Sequence, residues 1–269
     1  MKYLGHKIDF RRPQGAEALV PADSLTWQVF KNPMTMAIGG IAAVLLELAE
    51  PRVRSGVWNY SNFENKPFRR MIRTSFAAFI TVYAPRETAQ SVIQDVQRMH
   101  GVVHGTTPDG LTYHANDPEL LRWVHVTASF GFIESYSRFA RPLETHQKSQ
   151  IYSEAIPVGE LFGAKDLPRN VAEQEQIFAD MLPRLEPSQI VEDFLRIVQK
   201  ALPVPWPLSG MIVRGAISIV PEQVREVLGL QDRQMNARDE RWLKRLARLA
   251  DKVPVPFSPP AQARKRLAR

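Results

Sequence analysis

No cysteine occurs among the 269 residues. That removes disulfides, zinc–thiolate centres, iron–sulfur clusters, thiolate-bound haem and cysteine nucleophiles from consideration. Any metal must be held by His, carboxylate or Tyr. The longest apolar stretch, 34–46, falls short of the roughly 20 residues that a bilayer-crossing helix needs, so no membrane span is expected. The N-terminal residues 1–7 lack the apolar core and small-residue cleavage site of a signal peptide, and the expected location is cytoplasmic. Glycines at 5, 39, 40, 101, 105 and 110 do not sit between a strand and a helix, which disfavours dinucleotide and P-loop sites. No Gly-x-Ser-x-Gly elbow is present either, so a hydrolase triad has little to build on.

The composition, 44% hydrophobic and 23% charged, is that of a globular chain able to bury a sizeable core. Apolar residues recur at spacings of three and four almost throughout, and sustained period-two alternation is missing, so the expected fold is all-α. The pattern predicts helices over 24–31, 34–50, 52–59, 67–83, 85–104, 118–139, 145–162, 171–185, 187–201, 208–219, 221–228 and 237–252. Prolines at 85, 118 and 187 mark helix starts, where the missing N–H has no helical partner to lose. Gly39-Gly40 points to close helix packing. One domain over 1–252 is expected, followed by a Pro-rich basic tail, 253–269. Part of the net charge of +7 lies in that tail, which is expected to be solvated, with at most weak contact to acidic surfaces. It lacks the aromatic interleaving that stacks on bases, so no nucleic-acid partner is expected.

His100 is the foremost candidate. It sits in Gln97-Arg98-Met99-His100-Gly101-Val102-Val103-His104-Gly105 at the end of an expected long helix, where a buried neutral imidazole is a ready iron ligand. His104, four residues on, is expected on the same helix face, and the pair could bind a divalent metal with a carboxylate such as Asp95. The zincin motif is not matched, since Gly101 and not Glu follows His100. Arg69, Arg70 and Arg73 form a cationic cluster with Thr74 beside it, opening a helix that continues into apolar residues. Such a cluster either binds anionic groups or faces solvent. His125 lies in a helix apolar nearly all round, as a satisfied core residue or as a hydrogen-bonding partner of a cofactor edge. Trp123, Phe130, Phe132 and Tyr136 are expected in the core and pocket wall.

In order and spacing, four pieces resemble the rubber oxygenase (latex-clearing protein) and MpaB-like oxygenase domain. They are Gly56-Val57-Trp58-Asn59-Tyr60-Ser61-Asn62-Phe63, Pro67-Phe68-Arg69-Arg70-Met71-Ile72-Arg73-Thr74, the His100 segment, and Tyr113-His114-Ala115-Asn116-Asp117-Pro118 leading to Trp123-Val124-His125. The resemblance covers roughly residues 27–183. It implies a globin-like helical core around haem b, with His100 as proximal iron ligand. Arg70, Arg73 and Thr74 would then lie on the distal side, where dioxygen would attack a small apolar substrate. Arg73 stands where the latex enzymes carry a lysine. Arginine stays protonated and is a poor ligand, so the implied role is hydrogen bonding. Gln97 replaces an arginine of that pattern, and Tyr60 a histidine common in relatives. Two other readings stay open: a non-haem metal oxidoreductase built on His100, His104 and a carboxylate, and a non-catalytic helical protein that binds haem or lipid.

Overall fold

The computed structural model describes residues 2–60, 67–233, 235–253 and 255–268, with the backbone alone for 67–72. The fold is all-α. Two ribbons of two short antiparallel strands each are the only sheet structure among the described residues. The first ribbon pairs β1 (Lys2–Tyr3) with β2 (His6–Lys7). Helices α1 (Leu25–Phe30), α2 (Pro33–Ala49), α3 (Pro51–Tyr60), α4 (Pro67–Tyr83) and α5 (Arg86–His100) follow. The second ribbon, β3 (His104–Thr106) with β4 (Thr112–His114), separates them from α6 (Pro118–Ser135) and α7 (Thr145–Phe162). The remainder is α8 (Val171–Met181), α9 (Gln189–Ala201), α10 (Trp206–Ile219), α11 (Glu222–Val227), α12 (Ala237–Lys252) and α13 (Pro259–Leu267).

The centre is the crossing of α2 and α6. Asn32 starts α2 by accepting from the Met34 and Thr35 amides, and Pro33 occupies the first helical position. Asp117 and Pro118 do the same for α6. Both helices are apolar on several faces because both are surrounded. They touch backbone to backbone at Gly39 and Gly131: a Cβ placed on Gly131 would lie 2.3 Å from the Gly39 carbonyl oxygen, and one on Gly39 would lie 2.5 Å from that of Gly131. Hydrogen bonds bracket the contact, from Ser135 Oγ to the Thr35 carbonyl (2.9 Å) and from Trp123 Nε1 to the Leu46 carbonyl (3.2 Å). The close packing expected at Gly39-Gly40 is carried by Gly39.

Glu50 ends α2 and begins α3. Pro51 restricts the residue before it to extended backbone, and the chain turns by 112° there. The buried Glu50 carboxylate accepts from the Val53 amide (2.7 Å) and from Arg52 Nε (2.6 Å), and Arg52 also reaches Glu119 on α6 (2.9 Å). No single helix among the described residues is long and apolar enough to cross a membrane. The sharply bent α2–α3 pair passes that test only when taken together.

A second core joins the N-terminal segment, α1, α4, α5 and α13 through Phe10, Trp27, Phe76, Ile80, Tyr83, Ile93 and Ala263. Here the structure corrects an expectation. The basic C-terminal stretch is not simply solvated: α13 inserts Arg266, wholly buried, whose guanidinium donates to the carbonyls of Phe10 (2.8 Å), Ala16 (2.7 Å) and Tyr83 (2.9 Å). The sequence could not show that three carbonyls wait for it.

Most predicted helices match within a few residues. α6 was expected to run to 139; it gives way at Tyr136 to a π turn, Tyr136–Ala140, whose wider i→i+5 bond (Arg141 amide to Tyr136 carbonyl, 3.1 Å) aims Arg138 at the Ser218 carbonyl and at Glu240.

Replacing Gly131 by Ala forces backbone apart at the central crossing. We expect a loss of about 2–3 kcal/mol, the upper range for overpacking. For a chain of this size that is a fall in Tm of roughly 4–12 °C in a thermal melt. Gly40→Ala is the control, because its added Cβ meets only Phe132, at 3.8 Å. It should be neutral or stabilising, by up to about 1 kcal/mol.

Candidate functional site

The expected helix over 85–104 stops early. Gly101 caps α5, its amide returning to the Gln97 and Arg98 carbonyls (3.0 and 3.2 Å), and the chain then turns into β3. His104 is therefore a strand residue and does not share a helix face with His100. It pairs with His114 across the ribbon, the two exposed rings parallel at 6.3 Å. Between the strands, Gly110 (φ 86°) and the Thr107 hydroxyl, which accepts from the Leu111 amide, make the turn. Tyr113 points inward, toward Gly56 and Gly105. Tyr60 donates to the His104 carbonyl (2.8 Å).

This ribbon carries the chain from His100 back to Asn116 at the head of α6. The Asn116 side-chain amide donates to the Gln97 carbonyl (3.1 Å), tying the end of α5 to the start of α6. The end of α7 joins them through Gly163, whose left-handed φ of 95° ends that helix. An open cleft of about 520 Å³ lies at this junction, lined by Gln94, Gln97, Arg98, Asn116, Leu121, Phe162 and Gly163. Polar side chains come from α5 and the ribbon, apolar ones from α6 and α7.

Buried polar atoms without partners gather around the same junction. His100 Nδ1, Asn116 Oδ1 and His125 Nε2 are three of the five such atoms among the described residues. Each costs about 1–3 kcal/mol relative to a satisfied group, and proteins retain few of them. His100, one turn beyond Gln97, is held below the ordinary histidine range by burial and, secondarily, by His114. His125, one turn beyond Leu121 on α6, keeps some solvent contact as a residue while its Nε2 is sealed against Gly159 of α7: a Cβ on Gly159 would lie 2.9 Å from that nitrogen. Burial lowers its pKa to about 4, opposed in part by the Ala155 carbonyl. Both rings are thus neutral bases at neutral pH, the form that ligates a metal or accepts a hydrogen bond. Neither ring belongs to the cleft wall itself.

The other predicted site residues stand apart. Arg73 and Thr74 are solvent-exposed on α4, as in the solvent-facing reading of the cluster, and Arg73 lies near enough to Tyr3 for its charge to act on that hydroxyl. The Arg69 and Arg70 side chains fall outside the described residues. The set His100, His104 and Asp95 is not assembled: Asp95 is taken by His6 Nε2 (2.6 Å) and by Arg98, and no three metal-ligating side chains converge among the described residues. Asn116 was missed, read as part of a loop. Its signals were its place one residue before the Asp117-Pro118 helix start and its position within the fourth resembling piece.

For haem, the donor chemistry fits: His100 offers a neutral imidazole with a buried, unpartnered nitrogen, next to a cleft whose wall is apolar at Leu121 and Phe162 and polar along α5.

The buried neutral His125 makes stability depend on pH. Its folded-state pKa of about 4 lies below the unfolded value of about 6.5, so the unfolded chain binds the extra proton between them. The contribution is complete above pH 6.5 and disappears as pH falls toward 4, on the order of 3 kcal/mol in all. Denaturant titrations of wild type and His125→Leu across this range should show a steeper pH slope for wild type. Equal slopes would mean that His125 is not held neutral.

Compared with known proteins, the chain matches the family model described as ER-bound oxygenase mpaB/B'/Rubber oxygenase, catalytic domain, over residues 27–252. No curated protein and no solved structure matches it.

Proposed function

Since the chain belongs to the mpaB/rubber oxygenase catalytic-domain family, we propose that it is a haem-b-dependent oxygenase acting on a small apolar substrate with dioxygen, with His100 as the residue that would hold the iron. The observation that carries this reading is the buried, unpartnered Nδ1 of the half-buried His100 at the end of α5, one turn beyond Gln97 of the cleft. Bound haem would supply the activation of dioxygen; the protein supplies ligation, orientation and the exclusion of water.

Each residue has a task in this reading. His100, kept neutral by burial, holds a lone pair ready at neutral pH. Gly101 fixes its position by ending α5 directly after it. Asn116 fastens the end of α5 to the start of α6 and keeps its carbonyl oxygen free to accept a hydrogen bond. His125 is assigned to a cofactor edge by the sequence reading alone; its Nε2 faces Gly159 of α7 and not the cleft. Leu121 and Phe162 give the cleft the apolar lining that a nonpolar substrate requires. Arg70, Arg73 and Thr74 are assigned to the oxygen side by the resemblance alone, with arginine charge and the threonine hydroxyl as hydrogen-bond donors. The all-α core would enclose the group in a globin-like manner.

The non-haem reading loses support, because its three ligands are not brought together among the described residues. A non-catalytic haem-binding protein would show the same spectrum without turnover.

One ultraviolet–visible spectrum of the purified or haem-reconstituted protein decides the first step. A Soret band at stoichiometric haem is expected, lost or strongly reduced in His100→Ala and retained in His104→Ala. The opposite pattern would overturn the ligand assignment, and no haem uptake by either would overturn the reading. Arg73→Ala and Thr74→Val should keep the Soret band while changing cyanide affinity and lowering turnover by about a hundredfold or more, the scale of a lost preorganised donor. Unchanged ligand binding and turnover in both would leave them a solvated face of α4.

A further inference from the structure

We propose that the outward face of α12 is a docking surface for an anionic lipid bilayer. Along this helix the exposed residues are Arg238, Arg241, Trp242, Arg245, Arg248, Leu249 and Lys252, recurring at spacings of three and four, and so they form one continuous stripe. The opposite stripe, with Leu243 and Ala247, is buried in the core.

The charges are sorted by face. The acidic residues of α12 turn toward the protein: Asp239 pairs with Arg214, Glu240 with Arg138 and Lys244, and Asp251 with Lys31 and the Tyr136 hydroxyl. The outward stripe has five cations and no carboxylate. Arg241 donates only to a backbone carbonyl of its own helix, and Arg245 lies over the Trp242 ring.

Apolar side chains share that face. Trp242 is 48% exposed and Leu249 59%; Val253, Val255 and Phe257, the last 78% exposed, continue beyond the helix end. Trp206 of α10, 75% exposed, lines a groove of about 530 Å³ together with Trp242, Leu246 and Met211. Exposed large apolar groups grouped in this way mark an interaction site.

The mixture selects the partner. Tryptophans with flanking Arg and Lys suit the headgroup level of a membrane, and aliphatic side chains enter the acyl boundary beneath it. A single-stranded nucleic acid would use the arginines and Trp242 but has no use for Leu249, Val253 and Val255. A second copy in an isologous dimer would set five cations against five. The inference does not depend on the oxygenase reading.

The test is co-sedimentation of the full chain with vesicles of phosphatidylcholine alone and of phosphatidylcholine with phosphatidylserine. Binding is expected to the anionic vesicles, weakened by added salt. Arg245→Gln with Arg248→Gln should weaken it about twenty-five-fold, at about fivefold per basic residue lost near such a surface. Trp206→Ala with Trp242→Ala should weaken it by about tenfold or more, the scale of lost aromatic and aliphatic burial. Arg86→Gln on α5 removes a charge outside this face and should leave binding unchanged; all variants are checked for wild-type circular dichroism. The proposal is overturned by absence of binding, by equal binding to neutral and anionic vesicles, by full binding of the double variants, or by binding of an oligonucleotide in place of vesicles.

Discussion

The contact between Gly39 and Gly131 sets the geometry of everything around it. Two helices meeting through glycine approach more closely than side chains would allow, so α2 and α6 interlock as a single central element. With one face of α6 committed to α2, another is presented to α7, and His125 comes to lie against Gly159. Glu50 extends the same constraint to the end of the crossing: it turns α2 into α3 and, through Arg52, reaches Glu119 in the first turn of α6. The start of α6, where the cleft opens, is thereby held from the α2–α3 corner as well as from the ribbon that precedes it.

The junction of α5, α6 and α7 has a different character from the core behind it. In the core most buried polar groups are satisfied, the Tyr152 hydroxyl being an exception: Asn32 bonds the Ala247 carbonyl, Tyr83 the Trp27 carbonyl, and Thr127 the carbonyls of its own helix. At the junction, one nitrogen of each of two imidazoles and an amide oxygen are buried and left over. Such imbalance costs stability, and it is tolerated where a ligand completes the bonding. Under the proposed function, that surplus is what a bound cofactor or substrate would meet.

Arg266 shows how far the periphery is tied to the interior. A buried cation bonded to two carbonyls of the N-terminal segment and one at the end of α4 ties segments on either side of the family-matching span to α4 within it. Its Nη2 keeps no partner, so even this closure is incompletely satisfied.

Helix content was legible because each helix carries its own signals. The 3.6-residue periodicity, the prolines at 118 and 51, and the capping residues Asn32 and Asp117 act within a turn of where they stand. The neutrality of His125 was foreshadowed by its apolar neighbours. The end of α5 was misjudged because His100 and His104 share a spacing that helix and ribbon both accommodate, and only the pairing of β3 with β4, two short segments with almost no local pattern, decides between them. The burial of Arg266 depends on carbonyls 183 to 256 residues away in sequence, and the unpartnered state of His100 and Asn116 on which helix ends meet. The sequence by itself determined that the chain is helical, where most helices begin, and which histidine to examine. Only the tertiary structure decided which polar groups go unsatisfied and which face of α12 is left outside, because both are properties of packing between segments that no local pattern encodes.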